Sequence, residues 1–326
     1  MTLAQFVQPR RERWEQLNAL LQRIETLKLR SLSRAELKRL GQLYRSLTSD
    51  LAQAQTNFPQ SDLAQALNQL ASRAHPHVHR SRSLTGRSVW EFFRADLPQT
   101  FRRNLHLFNL AALIFLAGAA LAGVATLIDE NIATVLLSPQ LIESIHRREM
   151  WTERIFSVMP SSVMSTVIMA NNISVAFMTF AMGLTFGVGT CYLLALNGVM
   201  LGCVMALCFH YGLLGPLLEF VTAHGVVEIS VIVVAGTAGL LVGSALVNPG
   251  DYRRRDSLAM RGKDGARLVL GTAPMLVVVG MIEGFVSPHP GIPAMVKMVL
   301  GLVLGALFYL YLLFAGRGPV TAARDA

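Results

Sequence analysis

Glu219, His224, Glu228 and Glu283 are the side chains best placed to do chemistry, because each lies within or beside a long apolar stretch where an ionisable group is expensive. The spacing His224-x3-Glu228 puts an imidazole and a carboxylate on one helical face. Such a pair can pass protons, hold a divalent cation or hydrogen-bond at a helix break, and spacing alone leaves all three open. In the structural version of this reading, the cluster fixes a break at Gly225. Glu283 sits in Ile282-Glu-Gly-Phe-Val-Ser-Pro288 at the outer end of the fifth span, where it either meets His224 or Glu228 or reaches the headgroups. Asn171 and Asn172 are expected to cap the opening of a helix, and Asn197-Gly198 to make a tight turn between two apolar runs.

Hydrolytic signatures are missing: the sequence has no HExxH, no GxSxG elbow, no Walker GxxxxGK[ST] and no adjacent glutamates within a span. The expectation is therefore a protein that is not an enzyme and carries no cofactor, with metal ligation at the His/Glu cluster undecided. Cys191, Cys203 and Cys208 lie in apolar stretches without a CxxC pair, which argues against a disulfide framework. His75, His77 and His79 alternate in a basic segment and read as a linker rather than a metal tract.

These groups must be positioned by membrane helices. The 326 residues are 52% hydrophobic and 15% charged, against about 25% charged in an ordinary soluble domain, and the mean hydropathy is +0.45. Residues 1–104 hold 17 Lys/Arg and 8 Asp/Glu, so the net charge of +9 on the whole chain belongs to this third. The basic excess is read as facing anionic lipid, with no nucleic-acid partner. Its opening lacks an apolar core, so no signal peptide is expected and internal spans direct insertion.

Residues 1–85 read as a small cytosolic helical bundle. Trp14, Leu17, Leu20, Leu21 and Ile24 recur at helical steps, Leu37 to Leu51 do so again after a Ser33/Glu36 capping box, and Leu63 to Leu70 form a third piece. Residues 86–104 read as an interfacial helix. Arg80, Arg82, Arg87, Arg94, Arg102 and Arg103 are the candidate contacts to lipid headgroups.

The transmembrane domain is expected over 105–316, with spans near 105–128, 172–193, 198–214, 227–247, 268–286 and 296–315, and a cytosolic tail at 317–326. Residues 155–218 carry no charge for 64 positions and are divided into two passes at Asn197-Gly198. The 251–267 loop is basic and 129–154 acidic, which places both termini in the cytosol of a six-span, all-α protein of the inner membrane. Glycines spaced four apart, such as Gly183/Gly187 and Gly198/Gly202, suit close helix approach and make a homo-oligomer an expectation.

Met169-Ala-Asn-Asn-Ile173, Gly187-Val-Gly-Thr190, Leu196-Asn-Gly198, His224-Gly-Val-Val-Glu228, Ala235-Gly236, Pro249-Gly250 and Ile282-Glu-Gly-Phe-Val-Ser-Pro288 together resemble the stage II sporulation protein M family of integral membrane proteins. The Phe6-Val-Gln-Pro-Arg-Arg-Glu-Arg-Trp14 opening and the Leu32-Ser-x-x-Glu-Leu37 segment are similar to its non-sporulation members, so the resemblance covers nearly the whole chain. It implies a multi-span bacterial or archaeal protein. The sporulation namesake works with peptidoglycan-degrading partners as an anchor or scaffold, and most relatives are encoded near RDD-type membrane proteins and MoxR-like ATPases. The basic N-terminal helical region departs from the short sporulation protein.

The functional expectation is a membrane scaffold or anchor that recruits partner proteins through residues 1–85 and binds membrane lipids. The alternative is a transporter or channel using the His/Glu cluster. Convergence of Glu219, His224, Glu228 and Glu283 would favour the alternative.

Overall fold

The computed structural model describes residues 2–27, 32–59, 61–78, 86–152 and 160–317. Arg80, Arg82 and all of the 317–326 tail except Arg317 lie outside them. The chain divides into two compact units, Met1–Thr85 and Gly86–Ala326.

The first unit contains α1 (Leu3–Val7), α2 (Arg11–Leu27), α3 (Arg34–Asn57) and α4 (Asp62–Val78). Its core follows the helical spacing: Leu17, Leu21 and Ile24 from α2 meet Leu40, Leu43 and Leu47 from α3 and Leu67, Ala71 and Ala74 from α4. Phe6 joins this core beside Trp14 and Phe58, and the buried Asp50 carboxylate accepts from Arg10 Nε and Trp14 Nε1, each at 3.0 Å. The Ser33/Glu36 capping box forms as the sequence predicts. The Ser33 backbone N–H, its hydroxyl and the Arg23 guanidinium hold the Glu36 carboxyl down at about 2.

The second unit opens with α5 (Gly86–Glu91), a π-helical turn (Phe92–Asp96) and α6 (Leu97–Arg103). It continues through α7 (Leu105–Ile128), α8 (Asn131–Thr134), α9 (Pro139–His146), α10 (Ser161–Ala181), α11 (Val188–His210), α12 (Leu214–Val247), α13 (Arg254–Phe285) and α14 (Ala294–Phe314). Among the described residues, six helices are long and apolar enough to cross a membrane: α7 and α10 to α14.

Helix α12 is the centre of this unit. In its most apolar stretch 83% of residues are buried, against 22% to 44% in the other five candidate spans. Its 34 residues make about 51 Å of helix, longer than a hydrocarbon layer of about 30 Å. Backbones approach closely wherever a glycine removes the intervening Cβ. A Cβ at Gly301 would overlap the Thr222 carbonyl oxygen, one at Gly198 would overlap Phe115 O, and one at Gly202 would overlap Ala119 O. The glycine faces that suggested self-association are thus largely occupied by contacts within the chain.

Three sequence-derived boundaries are corrected. The second and third spans are not 172–193 and 198–214 but α10 and α11, and the chain turns at 182–187 instead of at Asn197-Gly198. Phe186 and Gly187 both have positive φ there, and Thr185 Oγ1 accepts from the Gly189 N–H at 2.8 Å to cap α11. Asn197 lies inside α11, donating from Nδ2 to Leu193 O, and Gly198 is small because it packs against α7. Asn171 and Asn172 accordingly lie midway along α10 and cap nothing. The break at Gly225 does not exist, since α12 runs through it. A helical glycine costs about 1 kcal/mol, which burial of the surrounding turns outweighs.

Residues 86–104 are more than an interfacial helix. Leu97 and Phe101 are buried in the main core, and Arg102 Nη1 donates to Ala315 O at 2.7 Å and Leu312 O at 3.2 Å, satisfying carbonyls at the end of α14. Arg102 therefore caps a helix, whereas Arg87, Arg94 and Arg103 are exposed.

The close contacts yield a paired prediction. Gly301→Ala should destabilise the protein by about 1–3 kcal/mol through overpacking. Gly262→Ala, where a Cβ has nothing within 4 Å, should stabilise α13 by about 0.5–1 kcal/mol. Thermal unfolding of the two variants in one detergent measures both.

Candidate functional site

His224 and Glu228 stand one turn apart on α12, about 15 and 21 Å along the helix from Leu214. Helix α13 brings Glu283 to the same place from two residues before its C-terminus at Phe285. His224 Nε2 lies 3.6 Å from Glu283 Oε1 and 3.9 Å from Glu228 Oε2, and the three ligand atoms all fall within 4.8 Å of one another. Just past α13, the buried Ser287 hydroxyl meets His224 Nδ1 at 3.0 Å. From α10, the buried Asn172 side chain lies beside the Glu228 carboxylate.

Packing explains why these groups meet. Ser165 Oγ on α10 donates to Gly280 O on α13 at 2.7 Å, and a Cβ at Gly284 would collide with Ser165 Cβ, so the two helices touch one turn from Glu283. The Phe220 and His224 rings pack nearly perpendicular, with their centroids 5.4 Å apart. His224 is only 4% exposed, and Glu283 Oε2 is buried without a hydrogen-bond partner among the described residues.

Of the four sequence candidates, three converge and one does not. Glu219 Oε1 instead accepts from Lys297 Nζ at 3.0 Å, joining α12 to α14. Lys297 is buried, and sequence reasoning missed it, although it is the sole Lys, Arg, Asp or Glu between Ala294 and Phe314. Ser287 was also missed because a serine in a Pro-rich turn looks like loop chemistry. Asn172 belongs to the site for a reason unlike the predicted one: it faces inward at mid-helix, while neighbouring Asn171 faces outward.

The arrangement holds two carboxylates, one imidazole, one amide and one hydroxyl in an apolar surrounding, with no Lys or Arg in the cluster among the described residues. Chemically it can share a proton or hold a cation.

Comparison with known families matches residues 108–288 to Stage II sporulation protein M and residues 4–80 to a Domain of unknown function (DUF8413). No curated protein and no solved structure matches the chain.

The Glu219–Lys297 pair makes its own prediction. Glu219→Leu should leave the Lys297 ammonium buried without its partner and lower stability by about 1–3 kcal/mol, tempered because Glu219 is partly open to its surroundings. Glu219→Leu combined with Lys297→Met should regain most of that loss. A double-mutant cycle of thermal unfolding reads the coupling, and strictly additive effects would contradict it.

Proposed function

The chain belongs to the stage II sporulation protein M family, and on that premise we propose that this multi-pass membrane protein is a scaffold that gathers partner proteins at the cell membrane. The observation that carries this reading is the outward face of α10, the least enclosed of the six candidate spans. Ser162, Thr166, Ala170 and Ser174 recur every four residues along it and are all exposed, with exposed Asn171 beside them. Thr166 and Ser174 satisfy their hydroxyls on their own helix, through Ser162 O and Ala170 O. Asn171 has no such bond among the described residues. A small-residue stripe with an amide at mid-span suits another transmembrane helix that approaches closely and hydrogen-bonds to it. Residues 1–85, with a core of their own, supply a second surface for cytosolic partners, and exposed Arg87, Arg94 and Arg103 suit anionic headgroups. The positive-inside rule puts both termini in the cytosol, and this reading contains no catalytic step.

Convergence of His224, Glu228 and Glu283 favours a second reading, a transporter or channel that moves a proton or cation through the cluster.

Two measurements follow. Asn171→Leu with Ser174→Leu should reduce crosslinking of the chain to other membrane proteins in native membranes at least fivefold, and deleting residues 1–85 should release cytosolic partners. Unchanged crosslinking and unchanged partners would refute the scaffold surfaces. For the second reading, reconstituted vesicles should lose flux on combining His224→Ala with Glu228→Gln; equal flux in wild type and variant would remove it.

A further inference from the structure

We propose that His224, Glu228 and Glu283 bind one divalent first-row transition-metal ion, with Ser287 and Asn172 orienting the ligands. Four observations join in this assignment. The first is donor chemistry: one imidazole nitrogen and two carboxylate oxygens form a set that suits zinc or manganese. The second is separation. Ligand atoms around an ion at about 2.1 Å lie roughly 3.0–3.5 Å apart, so the observed 3.6 and 3.9 Å from the imidazole, and a carboxylate separation within 4.8 Å, close on it by rotation of the two glutamate side chains. At those lengths neither contact is a hydrogen bond.

The third observation is the direction of the imidazole. His224 is buried, its Nδ1 is engaged by Ser287 Oγ, and its Nε2 points at the two carboxylates with no hydrogen bond among the described residues. A metal-bound histidine has this arrangement, since the bond made by one ring nitrogen fixes the tautomer and aims the lone pair of the other. The fourth is the buried Oε2 of Glu283, which has no hydrogen-bond partner among the described residues, with the Asn172 side chain beside the Glu228 carboxylate. Two carboxylates this close repel when both are ionised in an apolar interior. A divalent cation neutralises the pair and, through ligands on two helices, ties α12 to the end of α13.

This inference stands apart from the scaffold and transport readings, because equilibrium binding is measured without partners or flux. The test uses the full chain purified in detergent and stripped with a chelator. Isothermal titration with zinc chloride and with manganese chloride should show one ion per chain for at least one metal, and that metal should raise the melting temperature. His224→Ala and Glu283→Gln should each weaken binding at least tenfold, while His77→Ala, in the alternating histidine segment, should leave it unchanged. Glu228→Gln provides the same readout if His224→Ala yields no folded protein. Absence of saturable binding of either metal, equal binding in the cluster variants, or loss of binding with His77→Ala alone would overturn the assignment.

Discussion

The enclosure of α12 by its neighbours is the constraint on which the rest of this molecule depends. A helix in hydrocarbon satisfies its own backbone, but any polar side chain it carries must find partners among the helices that surround it. Because α12 is buried along most of its length, His224 and Glu228 face protein and not lipid. What can satisfy them is therefore whatever α10 and α13 bring within reach: Asn172, Glu283 and Ser287. Glycine sets how near those helices come. The absent Cβ atoms at Gly280 and Gly284 let α10 rest against α13, and without that approach Asn172 and Glu283 would not share a neighbourhood.

The outer helices have the opposite problem, since they must offer an apolar face to lipid. Helices α7 and α14 do so with leucine, valine and phenylalanine, whereas α10 exposes a stripe of small and polar groups beside the apolar Val163, Val167, Phe177 and Met178. Lipid does not reward the small polar stripe itself, which suits the close approach of another helix. This contrast between a polar interior cluster and a polar exterior stripe gives one membrane unit two distinct features: one holds its own helices together, and the other is suited to hold something else. The N-terminal unit is separate in its energetics, because its core is formed from its own α1 to α4 and its buried aspartate is satisfied by Arg10 and Trp14 within the same unit.

Much of this was legible in the sequence wherever a single physical effect dominated. The span expected near 105–128, within the uncharged run from Asn104 to Ile128, coincides with α7, because length and hydropathy alone decide a first span. The Ser33/Glu36 box formed because its two bonds are local. The His224/Glu228 pairing was legible from i to i+4 spacing, and Glu283 joined it as one of two stated alternatives. The misreadings share a cause. Asn197-Gly198 has the composition of a turn, yet its glycine serves close packing on Phe115, a non-local demand that a dipeptide cannot announce. The true turn at 182–187 uses Gly187 in a left-handed conformation, and in the sequence that residue resembled one more packing glycine. Gly225 looked like a break because glycine disfavours a helix locally, yet α12 runs through it within a buried stretch. Lys297 had a usable signal, a lone cation in an apolar run, and its partner Glu219 was instead assigned to the histidine cluster.

The central claim is that an unbroken α12 presents His224 to Glu283 on α13 inside one chain. Its most direct test is site-directed crosslinking in native membranes, with Cys191, Cys203 and Cys208 replaced by alanine and the pair His224→Cys and Glu283→Cys introduced. Treatment with a short homobifunctional thiol crosslinker, which spans the gap left when two long side chains are shortened to cysteine, followed by mass spectrometry of the digested protein, should recover the two peptides joined. Recovery of both cysteines as separate, freely alkylated thiols would contradict the account.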